Sequence, residues 1–456
     1  MKVEDYKSIY FVGAGGIGMS ALVRYFLSKG LIVGGYDKTP TPLTEQLIKE
    51  GAQVHYADDL ELIPSTFKNK VETLVIYTPA IPNSHTELSF FKAGGFKVMK
   101  RAEVLGLITK SSKGLCIAGT HGKTTTSTML AHLLKQSHVG CTAFLGGISQ
   151  NYHTNLLLDH NSPYTVIEAD EFDRSFHHLH PYISVITSAE PDHLDIYGTK
   201  EAYLQSFNDY TALTASNGAL IVREGLEVTP QLKEGTKLYT YSESKGDFHA
   251  NNIRIEEGEI YLDFIGPDVS IQNVQLGVPI AINIENSIAA MAVAHLCGAT
   301  NTEIKEAIGN FRGVERRFDF ILKNEKHVFI NDYAHHPAEI KQSIRSVKEL
   351  YPNRKLTTVF QPHLFTRTRD FYKDFANSLS LSDEVILTDI YPAREEPIEG
   401  ITSETIANEI KNNRKYITSK EKIVTLLSTL DTDIVLTLGA GDINLLTPDI
   451  KALLEQ

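Results

Sequence analysis

Gly114-Leu115-Cys116-Ile117-Ala118-Gly119-Thr120-His121-Gly122-Lys123-Thr124-Thr125 joins an apolar run to a glycine turn ending in Lys-Thr. The run predicts a buried strand, and the pattern over residues 123–134 predicts a helix. A glycine turn between the two is suited to phosphate, because backbone N–H groups and the positive helix end face an anion there. Lys123 would neutralise β- and γ-phosphate oxygens. The hydroxyl of Thr124, directly after it, is the expected Mg²⁺ ligand. The loop is short: Ile117 stands where the longer Gly-x-x-x-x-Gly-Lys-Thr form has its first glycine.

The same strand, glycine turn and helix recur in the other thirds of the chain. Ser8-Ile9-Tyr10-Phe11-Val12 leads into Gly13-Ala14-Gly15-Gly16-Ile17-Gly18 and a helix over about 19–28. Ile434-Val435-Leu436-Thr437-Leu438 leads into Gly439-Ala440-Gly441-Asp442. Strands alternating with helices predict an α/β protein with parallel sheets. Three separate units predict three domains: 1–110 and 314–456, both Rossmann-like, flanking a central P-loop ATPase domain, 111–313. Alternating, turn-rich sequence between about 216 and 280 predicts a small antiparallel β insertion in the central domain.

The first glycine turn fits Gly-x-Gly-x-x-Gly, and Asp37 follows a second predicted strand, Ile32-Val33-Gly34-Gly35-Tyr36, where an acid can meet a ribose hydroxyl. Alone, this motif favours NAD, although its geometry suits any nucleotide diphosphate, a UDP-sugar included.

Partners of the phosphate loop are expected at the ends of the following strands. Tyr164-Thr165-Val166-Ile167 runs into Glu168-Ala169-Asp170-Glu171-Phe172-Asp173, and Ile183-Ser184-Val185-Ile186-Thr187 precedes Asp192-His193-Leu194-Asp195. Carboxylates gathered at one strand end repel unless a cation sits among them, which favours a Mg²⁺-nucleotide site. His193 reads either as a metal ligand or as a hydrogen-bonding turn residue. His177, His178 and His180 have no cysteine partner and read as surface or capping residues. In the last third, Asp332-Tyr333-Ala334-His335-His336 and Gln361-Pro362-His363 with Arg367 follow predicted strands, and Arg316-Arg317 precedes them. Arginines on such loops suit carboxylate or phosphate.

Composition narrows the field. The 456 residues carry 44 Lys and Arg against 56 Asp and Glu, a net charge of −12. That balance argues against a general nucleic-acid binder, whose affinity comes from neutralising phosphates. No apolar run approaches the roughly 18–20 residues that cross a bilayer. No secretory signal is expected at the N-terminus, and three dispersed cysteines suggest no disulfide framework, so a reducing cytoplasm is expected.

Two nucleotide-type loops in separate domains, with basic loops in a third, resemble the Mur ligase family over nearly the whole chain. The resemblance is carried by residues 13–20, 118–125, 168–171, 192–195, 313–318, 332–337, 360–363 with 366–369, and 389–393. The short phosphate loop is that family's usual form. The resemblance implies that the first domain binds a UDP-sugar, the second ATP and the third an incoming amino acid. It further implies ATP-dependent joining of L-alanine to UDP-N-acetylmuramate through an acyl phosphate, with Mg²⁺, in a cytoplasmic monomer or homodimer without nucleic-acid or membrane partners. The implied ATP side is Gly119, Thr120, Gly122, Lys123, Thr124, Thr125, Asn286, Arg317 and Asp332. Catalysis falls to Lys123, His121, His193 and Arg317, and metal binding to Thr124, Glu168 and His193. The UDP-sugar side is Gly13, Gly15, Gly16, Ile17, Gly18, Asp37, Thr78 and Arg101. His335, His363 and Arg367 fall on the amino-acid side.

The chain departs from the family pattern in three places: Ile282 replaces a frequent His, Asn331 a frequent Asp and Leu364 a frequent Arg. A recycling ligase that joins a murein tripeptide to the same UDP-sugar is the nearest alternative. An NAD-dependent oxidoreductase leaves Lys123, Thr124 and the acids idle. A non-catalytic UDP-sugar sensor would not need Lys123.

Overall fold

A computed structural model describes residues 5–82, 84–192, 194–393, 395–411 and 414–456. The chain divides into two compact units, residues 1–253 with 261–277 and 282–311, and residues 312–456 with 254–260 and 278–281.

The first unit opens on a five-stranded parallel sheet: β1 (Ser8–Val12), β2 (Ile32–Tyr36), β3 (Gln53–His55), β4 (Thr73–Tyr77) and β5 (Lys97–Lys100), ordered β3-β2-β1-β4-β5. All of β1 is buried, as expected for a central parallel strand covered on both faces. The strand order reverses beside β1, so the first glycine turn opens at a switch point, where α/β sheets bind ligands.

A seven-stranded sheet follows: β6 (Lys113–Ala118), β7 (Thr142–Ser149), β8 (Thr154–Leu157), β9 (Tyr164–Ala169), β10 (Pro181–Ile186), β11 (Ala219–Arg223) and β12 (Lys237–Tyr241). Its order is β12-β11-β10-β6-β9-β7-β8, parallel except for β8 against β7. The antiparallel insertion is narrower than the expected 216–280. β11 and β12 extend the parallel sheet, and only β13 (His249–Glu256), β14 (Glu259–Gly266) and β15 (Val269–Gln275) form the separate sheet. β12, at the sheet edge, grades from exposed Lys237 and Leu238 to buried Tyr241, so it lacks the continuous apolar run of a central parallel strand.

The first two sheets share a core. Helix Ile17–Ser28 sets Tyr25 against Phe144, ring centroids 5.3 Å apart. Asn155, fully buried, donates to Ile17 O at 2.6 Å and to Ser20 Oγ at 2.8 Å and accepts from Arg24 at 2.5 Å. Helix Ile282–Leu296, rich in alanine, packs on helix Lys123–Gln136 behind the phosphate loop.

The second unit holds β16 (Asp319–Lys323), β17 (Val328–Asp332), β18 (Leu356–Phe360), β19 (Glu384–Leu387), β20 (Lys415–Ile417) and β21 (Ile434–Leu438). Their order is β16-β17-β21-β18-β19-β20, with β16 antiparallel.

His132, 2% exposed on helix Lys123–Gln136, carries a prediction of pH dependence. Its Nε2 lies 3.0 Å from Ala307 O and its Nδ1 2.9 Å from the Tyr152 hydroxyl. Burial lowers its pKa to about 4. Between pH 6.5 and 4 the unfolded chain therefore takes the proton first, and stability falls as pH falls. The slope from this group reaches about 1.4 kcal/mol per pH unit. Urea unfolding at pH 7 and pH 5 will show a smaller pH effect in His132→Gln than in wild type.

Candidate functional site

The phosphate loop lies between β6 and helix Lys123–Gln136, at the carboxyl end of the central strand. Gly122 caps the helix with φ 83°, and a Cβ there would lie 2.9 Å from Asn286 Oδ1. Only glycine suits both the left-handed backbone and that approach. The segment after β10 braces the loop. Thr187 Oγ1 donates to His121 O at 2.5 Å, His121 N to Ser188 Oγ at 2.7 Å, and Thr120 Oγ1 to Glu190 O at 2.7 Å. Asn286 is buried, accepting from Thr126 at 3.1 Å and donating to Asn283 at 3.0 Å. The His121 side chain is exposed, 3.6 Å from Glu190.

Lys123 is held inside the loop. Its Nζ lies 2.7 Å from Glu171 Oε2 and donates to Gly119 O at 2.5 Å. Glu171 is 2% exposed; burial raises its pKa, and Lys123 opposes the rise. Thr124 Oγ1 donates to Glu168 Oε2 at 2.9 Å. A Cβ on Gly146 would lie 1.9 Å from that same carboxylate oxygen. Gly146 lies on β7 where its ladder with β8 shifts register, between Phe144 and Ser149. Glycine there leaves the carboxylate its place.

Among the described residues, no three His, Cys, Asp or Glu gather to hold a metal. His193 lies outside the described residues. A hydroxyl and a carboxylate are nevertheless a fitting pair for Mg²⁺, which takes hard oxygens, usually one or two from protein and the rest from phosphates and water.

The UDP-side residues converge on the first glycine turn. Gly15 N donates to Asp37 Oδ2 at 2.6 Å. Cβ atoms on Gly13 and Gly18 would lie 2.7 Å from Thr78 and 2.1 Å from the Arg101 guanidinium. Gly16 has open space beside it and caps helix Ile17–Ser28, whose first residue Ile17 is exposed.

In the second unit, His335, His363 and Arg367 come together. The rings of His335 and His363 are 6.2 Å apart, and Arg367 Nη1 lies 3.4 Å from His363 Nδ1. His363 stacks on Tyr391 at 5.8 Å. Burial, then Arg367 and His335, lower the His363 pKa to about 4, so the imidazole is neutral at pH 7 beside a permanent cation. Arg316 and Arg317 lie over the Tyr333 ring at 4.8 and 5.5 Å. Asp332, 9% exposed, accepts from Phe318 N at 3.2 Å and from the Ser343 hydroxyl. Both its oxygens are thus engaged within the fold, where they hold the turn carrying Arg316 and Arg317. Arg316 and Phe318 there have φ 61° and 46°.

The sequence places Glu171 only among the acids expected around a cation, not on Lys123, and gives no role to Gly146, Tyr333 or Tyr391. Gly146-Gly147 inside a strand was a usable signal of close approach; the two tyrosines offered none.

A phosphate loop with acids beside it, a glycine-rich turn and an Arg-His cluster, each on its own mostly parallel sheet, form the layout of an enzyme that handles nucleotides. Family matches cover all three: "Mur ligase family, catalytic domain" over residues 8–113, "Mur ligase middle domain" over 117–294 and "Mur ligase, glutamate ligase domain" over 316–441. The chain belongs to the Mur ligase family. It is 63% identical over 457 residues to the UDP-N-acetylmuramate–L-alanine ligase of Phocaeicola vulgatus, covering 100% of both chains. It is 53% identical to that of Porphyromonas gingivalis, covering 98% of this chain and 99% of the relative. Among solved structures, the UDP-N-acetylmuramate-alanine ligase of Thermotoga maritima superposes with a TM-score of 0.82 at 28% identity, covering 97% of this chain and 98% of that one. A murein peptide ligase from Psychrobacter arcticus shares the fold, with a TM-score of 0.65 at 21% identity over 98% of each chain.

Proposed function

We propose that this chain uses ATP to join L-alanine to UDP-N-acetylmuramate, giving UDP-N-acetylmuramoyl-L-alanine, ADP and phosphate, a step in making peptidoglycan precursors. The observation that carries this reading is full-length identity of 63% to a ligase of that name. Three domains divide the work: 1–110 takes the UDP-sugar, 111–313 ATP, and 314–456 the amino acid.

The lactyl carboxylate is a poor electrophile. Its oxygen attacks the γ-phosphorus and ADP leaves; the alanine nitrogen then attacks the acyl carbon, the C–O bond breaks and phosphate departs with the amine proton lost. Lys123 turns from Glu171 to the phosphates and offsets the repulsion between two anions. Thr124 and Glu168 would hold Mg²⁺, and His193 is proposed as a further ligand. Bound there, Mg²⁺ supplies charge neutralisation along the phosphate chain. The amide groups of Gly119 to Thr125 cradle phosphate, and Asn286 backs the loop from behind. Gly13 to Gly18, Asp37, Thr78 and Arg101 hold the UDP moiety without NAD. Arg367, with His335 and the neutral His363, receives the alanine carboxylate, and Asp332 holds the turn that carries Arg316 and Arg317. ATP and UDP-sugar chemistry fits a cytoplasmic enzyme. No helix of the described residues is long and apolar enough to cross a membrane.

The test is phosphate release from ATP and Mg²⁺ with UDP-N-acetylmuramate, adding L-alanine, D-glutamate or the murein tripeptide separately. Release with L-alanine, with the matching product mass, is expected. Release only with tripeptide would reassign the chain to recycling, and release with none would refute the ligase reading.

A further inference from the structure

Residues 168–174, which begin with the last two residues of β9, reach the phosphate loop on one side and Lys100 and Arg101, beside the first glycine turn, on the other. Toward the phosphate loop, Glu168 accepts from Thr124 at 2.9 Å and Glu171 pairs with Lys123 at 2.7 Å. Toward the first turn, Asp170 lies 3.5 Å from Arg101 and Asp173 lies 2.7 Å from Lys100. Lys100 and Arg101 sit where β5 gives way to helix Arg101–Lys110, and the Arg101 guanidinium abuts Gly18. The segment is held in an unfavourable backbone: Asp173 and Arg174, neither of them glycine, have φ 51° and 52°. The alternating acids thus clasp Lys123 on one side and Lys100 and Arg101 on the other, in a strained loop.

Resting on the ligase reading above, we propose that residues 168–174 couple the two sites, with Asp170 and Asp173 as positioning residues that make UDP-sugar and ATP bind cooperatively. A diphosphate at Gly15 to Gly18 competes with Asp170 for Arg101 and repels its carboxylate. A triphosphate at the phosphate loop draws Lys123 from Glu171. Each anion therefore loosens the same strained segment. Whichever ligand arrives first bears the cost of release, so the second binds more tightly. Linkage makes the effect equal in both directions.

The test is calorimetric titration of UDP-N-acetylmuramate into the full chain, alone and with a saturating non-hydrolysable ATP analogue and Mg²⁺, without alanine. In wild type the nucleotide is expected to tighten binding about tenfold. Asp173→Asn, which removes the clasp on Lys100, binds the UDP-sugar more tightly without nucleotide, and the nucleotide effect shrinks to about twofold or less. Asp173→Glu restores the coupling. Lys100→Gln reproduces the loss from the other partner, and combining it with Asp173→Asn adds nothing further. Undiminished coupling in both Asp173→Asn and Lys100→Gln overturns the proposal, as does independent binding of the two ligands in wild type. Failure of wild type to bind the UDP-sugar overturns the reading of the glycine turn and this proposal with it.

Discussion

Lys123→Ala will lose turnover by about a thousandfold or more, the scale at which removing a charge-stabilising group slows acyl and phosphoryl transfer. The same substitution will also destabilise the fold. Glu171, 2% exposed, pairs with Lys123 at 2.7 Å, and breaking a buried pair from one side costs about 3 kcal/mol. A second substitution separates the two effects. Glu171→Gln in the Lys123→Ala background removes the stranded carboxylate. The urea midpoint will recover, while phosphate release stays lost. Retained turnover in Lys123→Ala would refute its role at the phosphates. An unchanged midpoint would show that Glu171 does not depend on this lysine.

Gly146→Ala will cut kcat/KM for ATP about a hundredfold with the fold intact, an effect comparable to removing one preorganised group from an active site. The new Cβ would lie 1.9 Å from Glu168 Oε2 and 3.1 Å from Thr124 Oγ1, so the carboxylate must move off the hydroxyl. A side-chain end can yield where backbone could not, which leaves the core of β7 in place. Glu168→Gln removes charge without steric conflict and will show the same loss, together with a higher Mg²⁺ requirement. Thermal unfolding within a few degrees of wild type distinguishes a disturbed site from a disturbed fold. Normal ATP kinetics in Gly146→Ala would mean that the Thr124–Glu168 pair is not the working arrangement.

The strands at 8–12, 32–36 and 434–438 are found with the bounds expected from sequence, because largely buried parallel strands are short apolar runs ending at glycine or polar turns. The β insertion was overextended for the converse reason: β12 is a partly exposed edge strand without a long apolar run, and its sequence does not reveal whether the neighbour runs parallel. That Lys123 and Thr124 follow a glycine turn between strand and helix was legible because those residues are adjacent, and Glu168 was expected beside them only from its place at a strand end. What Asp332 touches was not legible. A carboxylate at a strand end can face a ligand or the chain's own backbone, and here it holds Phe318 N and Ser343.

Local sequence is enough for the α/β class and the three strand–turn–helix units, because each depends on neighbours within a few residues. Tertiary structure alone decided which acids meet which cations. Lys123 finds Glu171 across 48 residues and Lys100 finds Asp173 across 73. Such pairings are set by strand order and packing, which bring together charges that no local pattern relates.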